Sequence, residues 1–131
     1  MRIRSHPERF FEAFSGMAER VTASAELLRD LLADPARGEE VQARITVLQE
    51  EAVALREQVL VDSSSVPVAP LPREDIHSIT LLLTDLIASL QDGAGQVRSL
   101  GLTHPREPAA RLAEVLVRAA QCIEKSVGVV G

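Results

Sequence analysis

Three histidines and one cysteine are the side chains most able to bind metal or act as nucleophiles, and they are scattered along the chain. His6, His77 and His104 lie at or near the starts of predicted helices, and none has a second ligand-type residue beside it at helical spacing. A metal site needs several such ligands together, so we interpret each histidine as a solvated or capping residue. Cys122 falls within the apolar pattern of the last segment and is predicted to be a small core residue.

Acidic pairs are the other candidates for chemistry. Glu39/Glu40 and Glu50/Glu51 are adjacent in sequence, which is ordinary for a solvated helix face. The sequence contains no phosphate-binding glycine loop, no pair of cysteines, no His-Glu-x-x-His stretch and no Gly-x-Ser-x-Gly stretch. We therefore expect no catalytic residue, no cofactor and no enzymatic activity.

The composition favours helices packed along aliphatic seams. Hydrophobic residues make up 46% of the 131 residues, but aromatic residues make up only 2%, so the core must consist of Leu, Val, Ile and Ala. The 14 basic and 19 acidic residues give a net charge of −5, and the basic residues are not gathered on one face. Nucleic acid is therefore not an expected partner, because its phosphates require a concentrated basic surface.

The length and the first residues bear on organisation and location. A chain of 131 residues fits a single domain, predicted over 1–131. Residues Met1 to Pro7 lack the apolar run of a signal peptide, and no window approaches the roughly 18 consecutive apolar residues of a membrane span. We expect a cytoplasmic protein that does not span a membrane.

Apolar periodicity predicts an all-α protein, an up-and-down antiparallel bundle of four helices. The helices are predicted at about 7–33, 35–61, 72–100 and 105–127, and serines and prolines place the longest loop at 62–71. No segment alternates with a period of two for long enough to predict a strand.

The second predicted helix has the most regular pattern. Asp34 can cap it, with Pro35 at the first helical position, and apolar residues then recur at spacings of three and four. These residues are Val41, Ile45, Leu48, Ala52, Leu55 and Val59. Such a seam is typical of a helix that packs against a neighbour as in a coiled coil.

The third predicted helix is apolar around more of its circumference than one seam can bury. Leu81, Leu82 and Ile87 widen its apolar side, which predicts a central helix with more than one neighbour. Gly93 and Gly95 are expected to weaken or bend it. The predicted seam of the fourth helix consists of Leu112, Leu116, Ala119 and Ile123.

The segment Ala69-Pro-Leu-Pro-Arg-Glu-Asp-Ile76 resembles Thr-Pro-Phe-Asp-Arg-Glu-Asp-Ile, a signature of the PhoU-like Pit accessory proteins, a family associated with phosphate transport. The matching residues are Pro70, Arg73, Glu74, Asp75 and Ile76. Other stretches resemble further parts of that family in the same order, namely Arg9-Phe-Phe-Glu-Ala-Phe14, Ser24-Ala-Glu-Leu-Leu28, Leu48-Gln-Glu-Glu-Ala52 and Leu83-Thr-Asp-Leu-Ile87. The resemblance covers nearly the whole chain and implies a PhoU-like helical fold.

The resemblance also implies where a metal cluster would lie. The wider superfamily binds metal through Glu-x-x-x-Asp and Asp-x-x-x-Asp pairs, whose carboxylates share one helix face. The matching positions here have lost all four carboxylates; they are Gln49, Val53, Thr84 and Ala88. We expect a degenerate site without metal, and the alternative is a shifted site built from the remaining acids. Those acids are Glu50, Glu51 and Asp85.

The function that the resemblance implies is that of a non-enzymatic regulatory or accessory protein related to phosphate transport, which contacts a transporter or a regulatory protein. The leading alternative is a structural or assembly protein that has lost the ancestral role, and another is a metal-binding PhoU-like protein. Family members continue through further helices, so the chain resembles the first half of that architecture. A homodimer or higher homo-oligomer that buries the stripe around Leu82 and Ile87 would supply the missing cover.

Overall fold

The computed structural model describes residues 6–65, 72–101 and 107–130, and within these ranges the protein is all-α. Its elements are α1 (His6–Ala33), a short 3-10 helix (Pro35–Arg37), α2 (Gly38–Ser65), α3 (Arg73–Ser99) and α4 (Glu107–Val130). The described ranges contain no strand. This architecture confirms the predicted bundle of four helices.

The connection between α1 and α2 follows the expected capping chemistry, with one difference. The Asp34 carboxylate accepts a hydrogen bond from the Ala36 amide at 3.3 Å, and Asp34 itself lies outside the α-helical region at φ −140° and ψ 85°. Pro35 opens a single 3-10 turn, and the α-helical hydrogen bonds of α2 begin only at Gly38. The chain therefore turns within a few residues, which brings α2 back along α1.

Helix α2 starts three residues later than predicted and extends past its predicted end at 61 to Ser65, so its last turn contains serines that were predicted to lie in the loop. The Ser63 hydroxyl donates to the Leu60 carbonyl at 2.9 Å, and the Ser64 hydroxyl donates to the Val61 carbonyl at the same distance. These bonds satisfy the hydroxyls inside the helix, so serine does not end it. The rest of the predicted loop and the predicted start of the fourth helix at 105 lie outside the described residues.

Helix α3 continues through Gly93 and Gly95 and ends before Gly101, whose φ of +62° is left-handed. Gly95 serves the packing of α3 on α2, because a Cβ atom there would lie 3.0 Å from the Gln42 side-chain nitrogen. Gly38 has the same role from the other side, since its Cβ would lie 2.6 Å from the Arg98 Cγ atom. The two glycines thus leave room for the Arg98 and Gln42 side chains, which pair across the two helices.

Helix α1 is the central element, because it packs against α2, α3 and α4, and this corrects the expectation that the third helix would be central. The expectation that the third helix has more than one neighbour is confirmed, since α3 packs against α1 and α2, and α4 contacts the bundle mainly through α1. The buried residues of α1 accordingly lie on three of its sides. They include Phe10, Phe14, Met17, Ala18, Val21, Ala25, Leu28 and Leu31.

The core consists of a large cluster, mostly aliphatic, and a small cluster with two phenylalanines near the start of α1, so the expectation of a core of Leu, Val, Ile and Ala alone is wrong. The large cluster includes Leu31, Ile45, Leu83 and Ile87, and the small one includes Phe10, Phe14, Val59 and Ile76. The predicted seam of α2 is confirmed. Val41, Ile45, Ala52 and Val59 are buried, and Leu48 and Leu55 pack against the core while partly exposed.

The predicted seam of the fourth helix is confirmed at Leu116 and Ile123, which pack against the large core cluster while partly exposed, and it is wrong at Leu112 and Ala119. The buried residues of α4 are Ala113, Val117 and Ala120, whereas Leu112 is 59% exposed and Ala119 is also exposed. Val117 and Ala120 of α4 pack in the same core cluster as Ala25 of α1.

Cys122 is also misplaced by the sequence analysis, because it is exposed and not in the core. It lies on the part of α4 that α1 does not cover. None of the described helices is both long and apolar enough to cross a membrane.

Candidate functional site

The contact surface between α2 and α3, here called the α2–α3 seam, carries several partly buried polar side chains. Three side-chain hydrogen bonds cross it in antiparallel order along the two helices. The pairs are Gln42 with Arg98, Thr46 with Gln91, and Arg56 with Thr84. Because the pairs define the register, Gln49 lies level with Ala88 and Val53 level with Thr84.

The α2–α3 seam therefore brings together all four positions at which the resemblance implies metal ligands. Gln49, Val53 and Ala88 are partly buried there, and Thr84 is buried. The Thr84 hydroxyl donates to the carbonyls of Thr80 at 3.0 Å and Leu81 at 3.1 Å. Amide, hydroxyl and hydrocarbon groups thus stand where carboxylates would be required.

A positive charge also reaches this part of the seam. The Arg56 Nη1 atom donates to the Thr84 Oγ1 atom at 3.3 Å, so a guanidinium group lies beside the implied metal positions. A guanidinium is always charged at neutral pH and repels a metal cation. The local electrostatics therefore favour an anion or a neutral group over a cation.

The three remaining acids do not converge on the seam. Glu51 faces α1, where its carboxylate lies 3.3 Å from the Arg20 Nε atom, and Glu50 and Asp85 are exposed. Among the described residues, no group of three or more His, Cys, Asp or Glu side chains is placed to hold a metal ion. The arrangement gives no support to the shifted metal site.

The segment that carries the family resemblance builds the start of α3. Arg73, Glu74 and Asp75 are exposed in the first turn, where negative charge complements the helix dipole. Ile76 is fully buried in the small core cluster. Pro70 lies outside the described residues. The described part of the segment thus anchors α3 in the core, and it does not line a cleft of its own.

The histidines are not brought together by the described structure. His77 is exposed near the start of α3. The side chain of His6 and the whole of His104 lie outside the described part of the chain. The interpretation of the histidines as solvated or capping residues can therefore be compared with the structure only at His77. The exposure of His77 agrees with a solvated residue.

The two residues predicted to form an oligomer interface lie in different environments. Leu82 is 57% exposed on the outer side of α3, whereas Ile87 is fully buried in the large core cluster. Ile87 cannot reach a second chain without unfolding its own, so the interface prediction is corrected at that residue. The reason is that Ile87 points between α1 and α2 instead of continuing the outer stripe.

Arg56 is the functional candidate that the sequence analysis missed. The residues one turn before and after it on α2 are all apolar, namely Ala52, Val53, Val59 and Leu60. An arginine without an acidic neighbour at helical spacing is a signal that could have drawn attention to it.

Comparison with known proteins found no relative of this chain. No protein-family model matches the chain, and neither a curated protein nor a solved structure was found to match it. The fold and the seam therefore define an all-α helical bundle, and its resemblance to the PhoU-like proteins rests on the residues quoted above.

Proposed function

We propose that this chain is a non-enzymatic regulatory or accessory protein related to phosphate transport, which acts in the cytoplasm through protein–protein contacts. The link to phosphate transport rests on the resemblance of the sequence to the PhoU-like Pit accessory proteins. Two features are compatible with that resemblance. The four implied ligand positions share one seam, and the most distinctive segment starts a helix whose Ile76 is buried in the core.

The observation that carries the mode of action is the set of large apolar side chains that the fold leaves in water. More than half of the surface of each is exposed: Val47, Val61, Leu81, Leu82, Leu100, Leu112 and Val115. Several of them lie on the outer sides of α3 and α4. Leu112 and Val115 lie one turn apart on α4, and a contiguous apolar patch on a surface is typical of a site that binds another protein.

A groove between α1 and α2 provides a further surface of this kind. It has a volume of about 580 Å3, and Val47 lines it together with Leu27 and Leu48. Glu26, Asp30 and Arg44 also line this groove. An amphipathic helix has the chemistry to place its apolar side there.

The decisive experiment compares phosphate uptake in the native host with and without this chain, at low and high external phosphate. We expect the response of uptake to phosphate to weaken without the chain and to return with the wild type. A Leu82→Glu variant should fail to restore it, while the exposed Glu19→Gln change on α1 should restore it. Unchanged uptake in the deletion strain would contradict the proposed function.

Self-association is part of the proposal, and its interface now includes the exposed Leu82 but not the buried Ile87. A homodimer through the outer side of α3 would remove Leu82 from water, and a two-fold axis would leave no open end. Sedimentation at micromolar concentration should show a dimer that Leu82→Glu converts to a folded monomer. A 14.2 kDa species for the wild type would refute the dimer.

Two alternatives give different results in the same strains. A structural or assembly protein would leave phosphate uptake unchanged but would still co-purify with a protein partner, and Leu82→Glu would abolish that association. A metal-binding protein would carry at least one iron, manganese or zinc ion per chain after purification without chelator, which elemental analysis measures. We expect less than stoichiometric metal, because the seam lacks the carboxylates that such ions need.

A further inference from the structure

The Arg56 guanidinium donates to a neutral group, as does that of Arg98, which donates to the Gln42 side-chain oxygen. Other arginines form ion pairs with acids: Arg20 with Glu51, Arg29 with Glu114, Arg37 and Arg44 with Glu40, and Arg111 with Glu107. Within the described residues, the hydrogen bond of Arg56 is instead to the neutral hydroxyl of Thr84. A partly buried guanidinium in this position keeps most of its donors and its charge available.

A cavity of about 240 Å3 lies beside Arg56, between the C-terminal half of α2 and the first turns of α3. Its lining residues are Arg56, Leu60, His77, Ser78, Thr80 and Leu81. The imidazole of His77 and the hydroxyl of Ser78 are further hydrogen-bond donors on its wall. The Thr80 hydroxyl is already used, because it donates to the His77 carbonyl at 3.0 Å.

The chemistry of this wall selects a class of ligand. A guanidinium presents N–H groups in a planar fork that matches two oxygens of a phosphate, sulfate or carboxylate group. No acidic side chain lines the cavity, so an anion placed there meets donors and apolar groups only. Leu60 and Leu81 add apolar contacts at the side of the cavity, which is open to water at the exposed residues His77, Ser78 and Leu81.

We propose that this cavity, here called the Arg56 pocket, binds a small tetrahedral oxyanion of the phosphate or sulfate class. Arg56 is the principal ligand, and Ser78 and His77 donate further hydrogen bonds. The proposal stands on these contacts and does not rest on the proposed function, since oxyanion binding and phosphate-dependent uptake are measured separately.

The test is an NMR titration of the 15N-labelled full chain with sodium phosphate and, separately, with sodium sulfate. Sodium chloride holds the ionic strength constant and supplies the control anion. We expect saturable shifts of the amides of residues 77–81 and 84 and of the Arg56 side chain. Chloride alone should cause small shifts that do not saturate. Equal responses to all three anions, or shifts spread evenly over the exposed arginines, would overturn the proposal.

Variants of matched charge sharpen the result. Arg56→Gln should weaken phosphate binding by about tenfold or more, since it removes a charged donor. Arg44→Gln removes the same charge from an exposed site on α2 and should leave the binding curve unchanged. Equal affinity for Arg56→Gln and the wild type would refute the assignment.

Two further variants keep the test decisive if Arg56→Gln fails to fold. Arg56→Lys keeps the charge but not the fork, and Ser78→Ala removes one exposed hydroxyl, so both should weaken binding to a smaller degree. Circular dichroism checks that each variant is helical. Wild-type affinity in both folded variants would also overturn the Arg56 pocket.

Discussion

The two contact surfaces that α2 makes, one with α1 and one with α3, are held together in different ways. Against α1, α2 presents aliphatic residues such as Ile45, and the Arg20–Glu51 ion pair lies at the edge. Against α3, three side-chain hydrogen bonds cross the surface, and Gly38 and Gly95 leave room for the side chains of one of them. Burial of aliphatic side chains stabilises the contact between two helices without fixing their alignment, whereas hydrogen bonds form only when donor and acceptor are aligned.

This difference suggests a division of roles. We expect the contact with α1 to supply most of the stability and the α2–α3 seam to set the register of α3. The α2–α3 seam also holds the side chains best suited to bind a ligand, because its polar groups are partly buried and held in one orientation by hydrogen bonds. Substitutions on either side should therefore differ in size and in kind.

The largest expected effect is at the inner side of α3. Ile87→Glu places an unpaired carboxylate in the large core cluster and should destabilise the chain by more than about 4 kcal/mol, enough to unfold it. Leu82→Glu, on the outer side of the same helix, should keep wild-type helicity. Urea denaturation followed by circular dichroism measures both. A folded Ile87→Glu protein would mean that α3 packs through another face.

The second effect concerns the aliphatic contact around α1. Leu31 is fully buried, so Leu31→Ala should cost about 2–5 kcal/mol of unfolding free energy, and the partly exposed Leu48→Ala should fall at the lower end of this range. Gln49→Ala and Glu50→Ala serve as mild controls on α2. Equal losses at Leu48, Gln49 and Glu50 would contradict the assignment of the buried face.

The third effect is on the polar α2–α3 seam and is smaller. The Gln91 side-chain nitrogen donates to Thr46, while its Oε1 atom is buried and has no partner among the described residues. Thr46→Val should therefore cost about 1–3 kcal/mol by leaving a second buried group unpaired. The double variant with Gln91→Met should recover most of this loss. Additive losses in the double-mutant cycle would show that the two residues do not interact.

The fourth effect is at the edge of the α1–α2 contact. Arg20→Gln removes the ion pair with Glu51 and should cost less than about 1 kcal/mol, because both groups are partly solvated. The difference from the wild type should shrink further at 1 M salt, where charges are screened. A larger loss of unfolding free energy that does not change with salt would show that Arg20 stabilises the fold mainly through its hydrogen bond to the Gly16 carbonyl.

The smallest effect is a pH dependence at the start of α2. The side-chain hydrogen bond from Arg37, together with its charge, lowers the pKa of the exposed Glu40 carboxyl. A lowered pKa in the folded state means that the contribution is present above the unfolded pKa and is lost as pH falls through the folded one. An NMR titration should show the Glu40 pKa rising in Arg37→Gln and rising less in Arg44→Gln. The opposite ranking would show that Arg44 is the main partner.

Local rules were enough to predict the helices and much of their burial. The spacing of Val41, Ile45 and Ala52 predicted the buried side of α2, because a narrow apolar stripe leaves one face for packing. Asp34 with Pro35 predicted the turn after α1, since a carboxylate and a proline act on their immediate backbone neighbours. Even here the serines after Val61 were misjudged, because their hydroxyls bond within the helix.

The tertiary structure alone decided which part of a wide apolar surface is covered. The adjacent residues Leu112 and Ala113 of α4 are both apolar but point in different directions from the helix axis. Of these two, α1 covers Ala113 and leaves Leu112 in water. The spacing of apolar residues predicts which of them share one side of a helix. Which side is buried depends on where the neighbouring helix packs. The same reason explains why Ile87 is buried while Leu82 is not.

The contact between Arg56 and Thr84 depends on the tertiary structure to a still greater degree. The two residues are separated along the chain by a loop and several helical turns, and only the packing of α2 on α3 brings the guanidinium to the hydroxyl. The sequence by itself determined that Arg56 has apolar neighbours at helical spacing. Whether such a charge faces water, an acid or a cavity is decided by the helix packed opposite, because the reach of a side chain is short compared with the distance between elements in the sequence.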